Sequence, residues 1–242
     1  MEGLDIKVIF TLSLFGHAVP ITETVVVTWL VMLILIAGSL LLTRKLREIP
    51  RGAQAILEMG IEFLNNFSKS SFGPWAKFLG PYIGTVFLFL LVANMVGVLS
   101  PIEAAAFGHE FTPPFVIKPP TRDINVTAAL AIGSIAMVLV FGFLGRGVKG
   151  WFKGLIHPMP MMLPFNLLEY IIRPLSLCLR LFGNILGAFI LMHMVEGLFP
   201  LALPMVVSLY FDFIDGAIQA TVFCFLTTMY LSEAVKAPGV EE

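Results

Sequence analysis

Charge is what this sequence has least of. Asp, Glu, Lys and Arg make up 13% of its 242 residues, about half the share of a soluble domain. A chain so short of charge cannot cover a globular surface with solvated groups, which argues against a water-soluble fold. Acids and bases nearly cancel, leaving a net charge of -1, so there is no basic face for a nucleic-acid partner. Cysteine is nearly absent too: Cys178 and Cys224 both sit in apolar runs, where they read as small buried hydrophobes and say nothing of redox compartment. No Gly-rich phosphate loop, metal-ligand cluster, nucleophile–base pair or nucleotide motif is present. The chain is therefore not expected to be an enzyme by itself or to need a cofactor. It also shows no internal repeat and no segment resembling a separate soluble domain.

Apolar residues fill the space left by charge. They form 58% of the chain, with a mean hydropathy of +0.93. The fold class this implies is an all-α integral membrane protein, forming a single membrane domain over 1–242. Residues 24–43 carry no charge and are long enough for one span, too long for a signal-peptide core. Residues 1–23 read as an outside N-terminal segment ending in a turn at Pro20. Arg44, Lys45, Arg47 and Arg51 follow the first span and place that end in the cytoplasm.

Residues 52–74 set Ile56, Gly60, Phe63 and Phe67 on one helical face, with Glu58, Glu62, Asn65 and Lys69 on another. That pattern is an amphipathic helix lying on the membrane surface or against a partner. A second span runs over 78–102 and carries Asn94, whose simplest reading is a helix–helix hydrogen bond, with a direct part in transport as the alternative. A Pro-rich outside loop over 103–123 contains Pro113, Pro114, Pro119 and Pro120, beside a solvated His109 and Glu110. The third span covers 124–145. Arg146, Lys149 and Lys153 follow it and again mark the cytoplasmic side. After Pro158, Pro160 and Pro164 comes a long helix over 164–199, interrupted by Pro174, and then a last helix over 202–235. The count is five membrane-embedded helices plus one amphipathic surface helix, with the C-terminus in the cytoplasm.

The long helix holds the unusual chemistry. Within FNLLEYIIRPLSLCLRLFGN, residues 165–184, lie Glu169, Arg173, Arg180 and Asn184, all near one stripe if the segment is helical. A charge at the bilayer centre costs roughly 2.5–3.5 kcal/mol on insertion scales, and arginine stays protonated. Such residues mark function by default. Glu169 and Arg173 can satisfy each other as an i, i+4 pair, whereas Arg180 has no acid three or four residues away. Its counter-ion must come from another helix or another chain.

The last helix carries Asp212, Asp215, Gln219 and Tyr230, whose spacing puts them on one face of an α-helix. A short turn near Gly197, Pro200 and Pro204 makes this helix and the long one an antiparallel hairpin with facing polar stripes. His193 and Glu196 lie close to the outer surface, opposite Asp212 and Asp215, with Gln219 nearer the level of Arg180. Carboxylates and histidine laddered through a membrane are the material of an ion path. Alternatively, Asp212 and Asp215 only bond neighbours that hold the hairpin.

Ser176-Leu-Cys-Leu-Arg180-Leu-Phe-Gly-Asn184-Ile185 resembles the signature of subunit a of the membrane sector of F-type ATP synthases. Pro164-Phe-Asn-Leu-Leu-Glu169, Arg173-Pro174, Asp123-Ile-Asn125-Val-Thr127, Gln219 and Tyr230 are similar to further positions of that family. The resemblance implies a stator beside a ring of c subunits, joined to the b subunits of the peripheral stalk and only indirectly to the F1 sector, in a bacterial plasma membrane. It also implies two offset half-channels passing H+ or Na+ to and from the ring carboxylates. The family's essential arginine maps to Arg180, with Asn184 and Gln219 as its neighbours. His193, Glu196, Asp212 and Asp215 would line the outer path, and Glu169, Arg173 and Tyr230 the cytoplasmic one. The family commonly has an acid or histidine where this chain has Phe189, so His193 or Glu196 would take its place. The rival readings are a stand-alone secondary ion transporter or channel and a scaffold whose charges only hold helices together.

Overall fold

The computed structural model describes residues 8–14, 17–44, 46, 50–96, 119–156, 161, 163–196 and 209–235. Strands β1 (Val8–Leu14) and β2 (His17–Thr22) form an antiparallel hairpin in the register Val8 to Thr22, Thr11 to Pro20 and Leu14 to His17. Pro20, expected in a turn, instead lies inside β2. In a two-stranded sheet both strands are edges, where a residue lacking N–H is tolerated.

Among the described residues six α-helices follow: α1 (Glu23–Thr43), α2 (Ala53–Phe72), α3 (Ala76–Met95), α4 (Ile124–Ile156), α5 (Leu163–Glu196) and α6 (Gly216–Val235). Gly73–Trp75 and Pro120–Arg122 are single 3₁₀ turns before α3 and α4, and Leu209–Asp215 is a π-helix leading into α6. Among the described residues, four helical stretches are long and apolar enough to cross a membrane: Glu23–Thr43, a part of Gln54–Met95, Ile124–Gly147 and Phe213–Val235. The Pro-rich loop with Pro113, Pro114, His109 and Glu110, the turn at Gly197, Pro200 and Pro204, and the C-terminal Lys236, Glu241 and Glu242 lie outside the described residues.

Two compact units share these helices. One contains residues 1–45, 88–123 and 183–219. Its apolar core joins Val27 and Val31 of α1 to Ala93 and Val96 at the end of α3, with Leu35, Phe89 and Val92 packed around them. Val27 and Val31 are four residues apart, so only a narrow stripe of α1 is covered by protein. The rest of α1 is apolar and bare: Leu33 is 66% exposed and Leu41 69%. Burial of such side chains yields about 25 cal/mol per Å², so a helix this exposed is stable only where hydrocarbon covers it.

The second unit contains residues 46–87, 124–182 and 220–242. Here α2 presents Ile56, Met59 and Phe63 outward, each at least 70% exposed, while Ser68 and Phe72 are buried. Gly52 and Gly73 flank α2 with φ of 63° and 55°, conformations that glycine adopts without a Cβ clash. Gly73 caps the helix by donating its N–H to Lys69 O, and Pro74 follows at once. Helix α4 was expected to stop near residue 145 and give way to a basic loop. Gly147 does break it, with φ 67° and ψ 163°, but helix resumes to Ile156 and carries Lys149, Trp151 and Lys153. The second piece folds back on the first because Gly142 leaves room for Trp151, whose ring lies 4.7 Å from that of Phe143.

The last helix departs from its sequence reading as well. Asp212 and Asp215 fall in the π-helix, in which each turn closes over one more residue than an α-turn. The α-helical spacing that set both aspartates on one face with Gln219 and Tyr230 therefore does not hold for that pair. It holds only from Gly216 onward.

Candidate functional site

In the second unit, Arg173 is the centre of a cluster that joins α4, α5 and α6. Its Nη2 donates to Glu169 Oε2 at 2.5 Å, one α-helical turn earlier, and to Glu233 Oε2 of α6 at 2.9 Å. Its guanidinium also lies over the Tyr230 ring, 4.6 Å from the centroid, an attraction between a cation and the negative face of the π system. Tyr230 and Glu233 are three residues apart on α6 and so share a face. Arg146 Nη2, at the end of the first piece of α4, donates to the Glu233 main-chain oxygen. One residue earlier, Ser232 Oγ donates to Ser71 O of α2 at 2.7 Å.

The Arg173 side chain is 17% exposed, whereas those of Glu169 and Glu233 are 55% and 63% exposed. Ion pairs between groups that open to water contribute little to stability. What they do is fix a guanidinium between two accessible acids.

Arg180 sits two turns further along α5 and is exposed, making no hydrogen bond or ion pair among the described residues. Two residues before it, Cys178 Sγ approaches Thr127 Oγ1 of α4 at 3.5 Å. Other polar contacts in this unit are Tyr82 with Ser134 at 3.2 Å and Cys224 Sγ with Ile83 O at 3.9 Å. The Thr227 and Thr228 hydroxyls are buried with no hydrogen-bond partner among the described residues.

The first unit has its own polar centre, at Asn94. The Asn94 Nδ2 donates to Gly216 O at 3.0 Å, and its Oδ1 accepts from Thr121 Oγ1 at 2.8 Å. Both ends of the buried amide are thus satisfied, as a buried polar group requires. Gly216 makes this possible: a Cβ there would lie 2.8 Å from Asn94 Cβ, so any larger residue would push the two backbones apart. Glu23, Asp123 and Gln219 are also buried, and Asp215 is half-buried. Gln219 Nε2 has no hydrogen-bond partner among the described residues.

Of the site residues expected from sequence, the structure brings Glu169, Arg173 and Tyr230 together. Asn94 forms the interhelical hydrogen bond that was its simplest reading. Asn184, His193, Glu196 and Asp212 occupy helical positions, but their side chains lie outside the described ones. The sequence reading missed Glu233. The available signal was its place one turn after Tyr230, as the last acid of an otherwise apolar helix. Among the described residues there is no group of three or more His, Cys, Asp or Glu that could hold a metal ion.

The family model described as ATP synthase A chain matches residues 25–232. ATP synthase subunit a of Moorella thermoacetica is 37% identical over 217 residues, covering 90% of this chain and 92% of the relative. The protein named ATP synthase subunit a, sodium ion specific, of Propionigenium modestum is 33% identical over 219 residues, covering 90% of this chain and 76% of the relative. The family match runs from within α1 to Ser232, so it takes in Asn94, Glu169, Arg173, Arg180 and Tyr230 and stops one residue short of Glu233, and the chain belongs to the ATP synthase A chain family.

Proposed function

We propose that this chain is the stator of an F-type ATP synthase membrane sector and conducts H+ or Na+ to and from a ring of c subunits through two offset half-paths. The observation that carries the reading is Arg180: a permanent cation, exposed on an apolar helix, with no partner among the described residues. A carboxylate on a neighbouring ring supplies the missing counter-ion, and transient pairing offsets the desolvation of both charges. Arg180 then repels any cation that tries to pass straight between the half-paths.

In this reading α5 is a fifth membrane-embedded helix and pairs with α6 as a hairpin against the ring, with α2 on the membrane surface. The contacts of Arg173 with Tyr230 and Glu233 support that pairing. Glu169, Arg173 and Tyr230 form the cytoplasmic path. His193, Glu196, Asp212 and Asp215 line the outer one, with Asn184 and Gln219 flanking Arg180. The b subunits hold the chain still, the F1 sector carries the ATP chemistry, and the assembly sits in a bacterial plasma membrane with the N-terminus outside. Each charge crossing the membrane is worth about 2.3 kcal/mol per 100 mV, so rotation must sum several of them per ATP.

The test is ATP-driven cation uptake into inverted vesicles containing the intact complex, with and without a protonophore. Wild-type vesicles take up one cation, and Arg180→Ala vesicles with the same amount of assembled complex take up none. Uptake at the wild-type rate in the variant would refute the reading. Proton uptake abolished by the protonophore identifies a proton machine, and sodium uptake that survives it identifies a sodium machine.

A further inference from the structure

The Arg173 cluster has more acid than one guanidinium can neutralise. Glu169 and Glu233 reach the same nitrogen, Nη2, at 2.5 and 2.9 Å, from two different helices. The chain at Glu233 is held by Arg146, which donates to its main-chain oxygen, and by the preceding Ser232, whose hydroxyl donates to Ser71 O. Its carboxylate remains 63% exposed. A fixed backbone beneath a wet acid suits a group that must exchange a cation repeatedly without moving.

We propose that Glu169 and Glu233 are a redundant, alternating pair of cation acceptors around a fixed Arg173, so that Glu233 is a functional residue of the cytoplasmic path. The inference rests on the stator reading above. In the proton case, the O–H bond of a ring carboxylic acid, or of a water protonated by it, breaks as an O–H bond forms on one of the two carboxylates. The neutral acid releases Arg173, which stays paired with the other carboxylate. The proton then passes to bulk water and the first carboxylate re-forms its ion pair. In the sodium case the ion neutralises the same carboxylate without covalent change. At no stage is Arg173 left as an unpaired, largely covered charge, which would cost far more than either ion pair contributes.

The neighbours fit this division of labour. Tyr230 holds the guanidinium from its ring face, where it competes for neither carboxylate. Arg146 spends its hydrogen bond on a main-chain oxygen rather than on an acid, so the second carboxylate keeps its capacity to accept a cation.

The experiment compares Glu169→Gln, Glu233→Gln and the double variant in the intact complex, by ATP-driven uptake in inverted vesicles normalised to assembled complex. Glutamine keeps the shape and can still accept a hydrogen bond from Arg173; because the double variant leaves that guanidinium without a counter-charge, uptake is compared only between vesicles with equal amounts of assembled complex. Each single variant should retain uptake within about tenfold of wild type, because one acid suffices. The double variant should fall by about a hundredfold or more, the scale of losing a proton-transferring group, and by more than the product of the single losses. A double variant at the wild-type rate, a double loss no larger than that product, or a single variant that abolishes uptake would each overturn the proposal. Measuring proton and sodium uptake separately shows which cation the pair accepts. Arg180→Ala vesicles run alongside separate the two levels of failure. If they still take up cations, the stator reading has failed. If they are inactive while the double variant is unimpaired, only the paired-acid inference has.

Discussion

Replacing Gly216 by alanine tests whether the junction between the π-helix and α6 is held by Asn94. The new Cβ would lie 2.8 Å from Asn94 Cβ, a distance that real side chains do not tolerate, so the two backbones must separate. Overpacking of this kind costs about 1–3 kcal/mol. Separation also stretches the 3.0 Å bond from Asn94 Nδ2 to Gly216 O, and interhelical hydrogen bonds within membranes are worth about 0.6 kcal/mol on average, up to about 1.7. The sum is about 2–4 kcal/mol, or roughly 30- to 1,000-fold in the folding equilibrium at 1.36 kcal/mol per tenfold. Equilibrium unfolding of the purified subunit in mixed detergent and SDS micelles reads this directly. The decisive control is the same substitution in an Asn94→Gly background, which has already lost both the colliding Cβ and the amide. There Gly216→Ala should cost little, giving a coupling of about 2–4 kcal/mol between the two sites. An equal cost in both backgrounds, or none in the wild type, would refute the argument that close approach at Gly216 is what the glycine is for.

Two further substitutions probe the second unit. Gly147→Ala should lower stability by about 1–3 kcal/mol in the same unfolding assay, since φ 67° and ψ 163° form a region essentially reserved for glycine. Among the described residues, no atom beyond its chain neighbours lies within 4 Å of the added Cβ, so the effect is backbone strain, and a Gly147→Ser variant should match it. Ser232→Ala should cost about 0.5–1.5 kcal/mol through loss of the 2.7 Å bond to Ser71 O, read by SDS unfolding and by faster hydrogen exchange near the end of α6.

Much of the fold was legible in the sequence because the signals for membrane helices are local. An uncharged run of the right length specifies a span wherever it stands, since backbone polar groups in hydrocarbon must be satisfied within the segment itself. That is why the expected 24–43 and 124–145 segments lie close to α1 and the first piece of α4, while 52–74 lies close to α2 because its apolar residues recur at helical spacing. The i, i+4 pairing of Glu169 with Arg173 was legible for the same reason, as helix geometry alone brings those positions together. The signature around Arg180 needed no structure to be seen either.

Three-dimensional packing decided the rest. Asn94 is 122 residues from the Gly216 carbonyl it binds, and Arg173 is 60 from Glu233; no periodicity along the chain encodes either encounter. The π-helix at Leu209–Asp215 replaces the α-helical spacing from which the common face of Asp212 and Asp215 was counted, and no signal along the chain marks that irregularity. Pro20 reads as a turn residue when the chain is considered one strand at a time, while the hairpin that accommodates it depends on a partner strand. The sequence by itself determined which segments are apolar enough to cross a membrane and which charged residues interrupt them, since hydropathy and helical spacing are properties of neighbouring residues. The tertiary structure alone decided which charges meet partners distant along the chain and which face outward, because such a counter-ion is chosen by proximity in space.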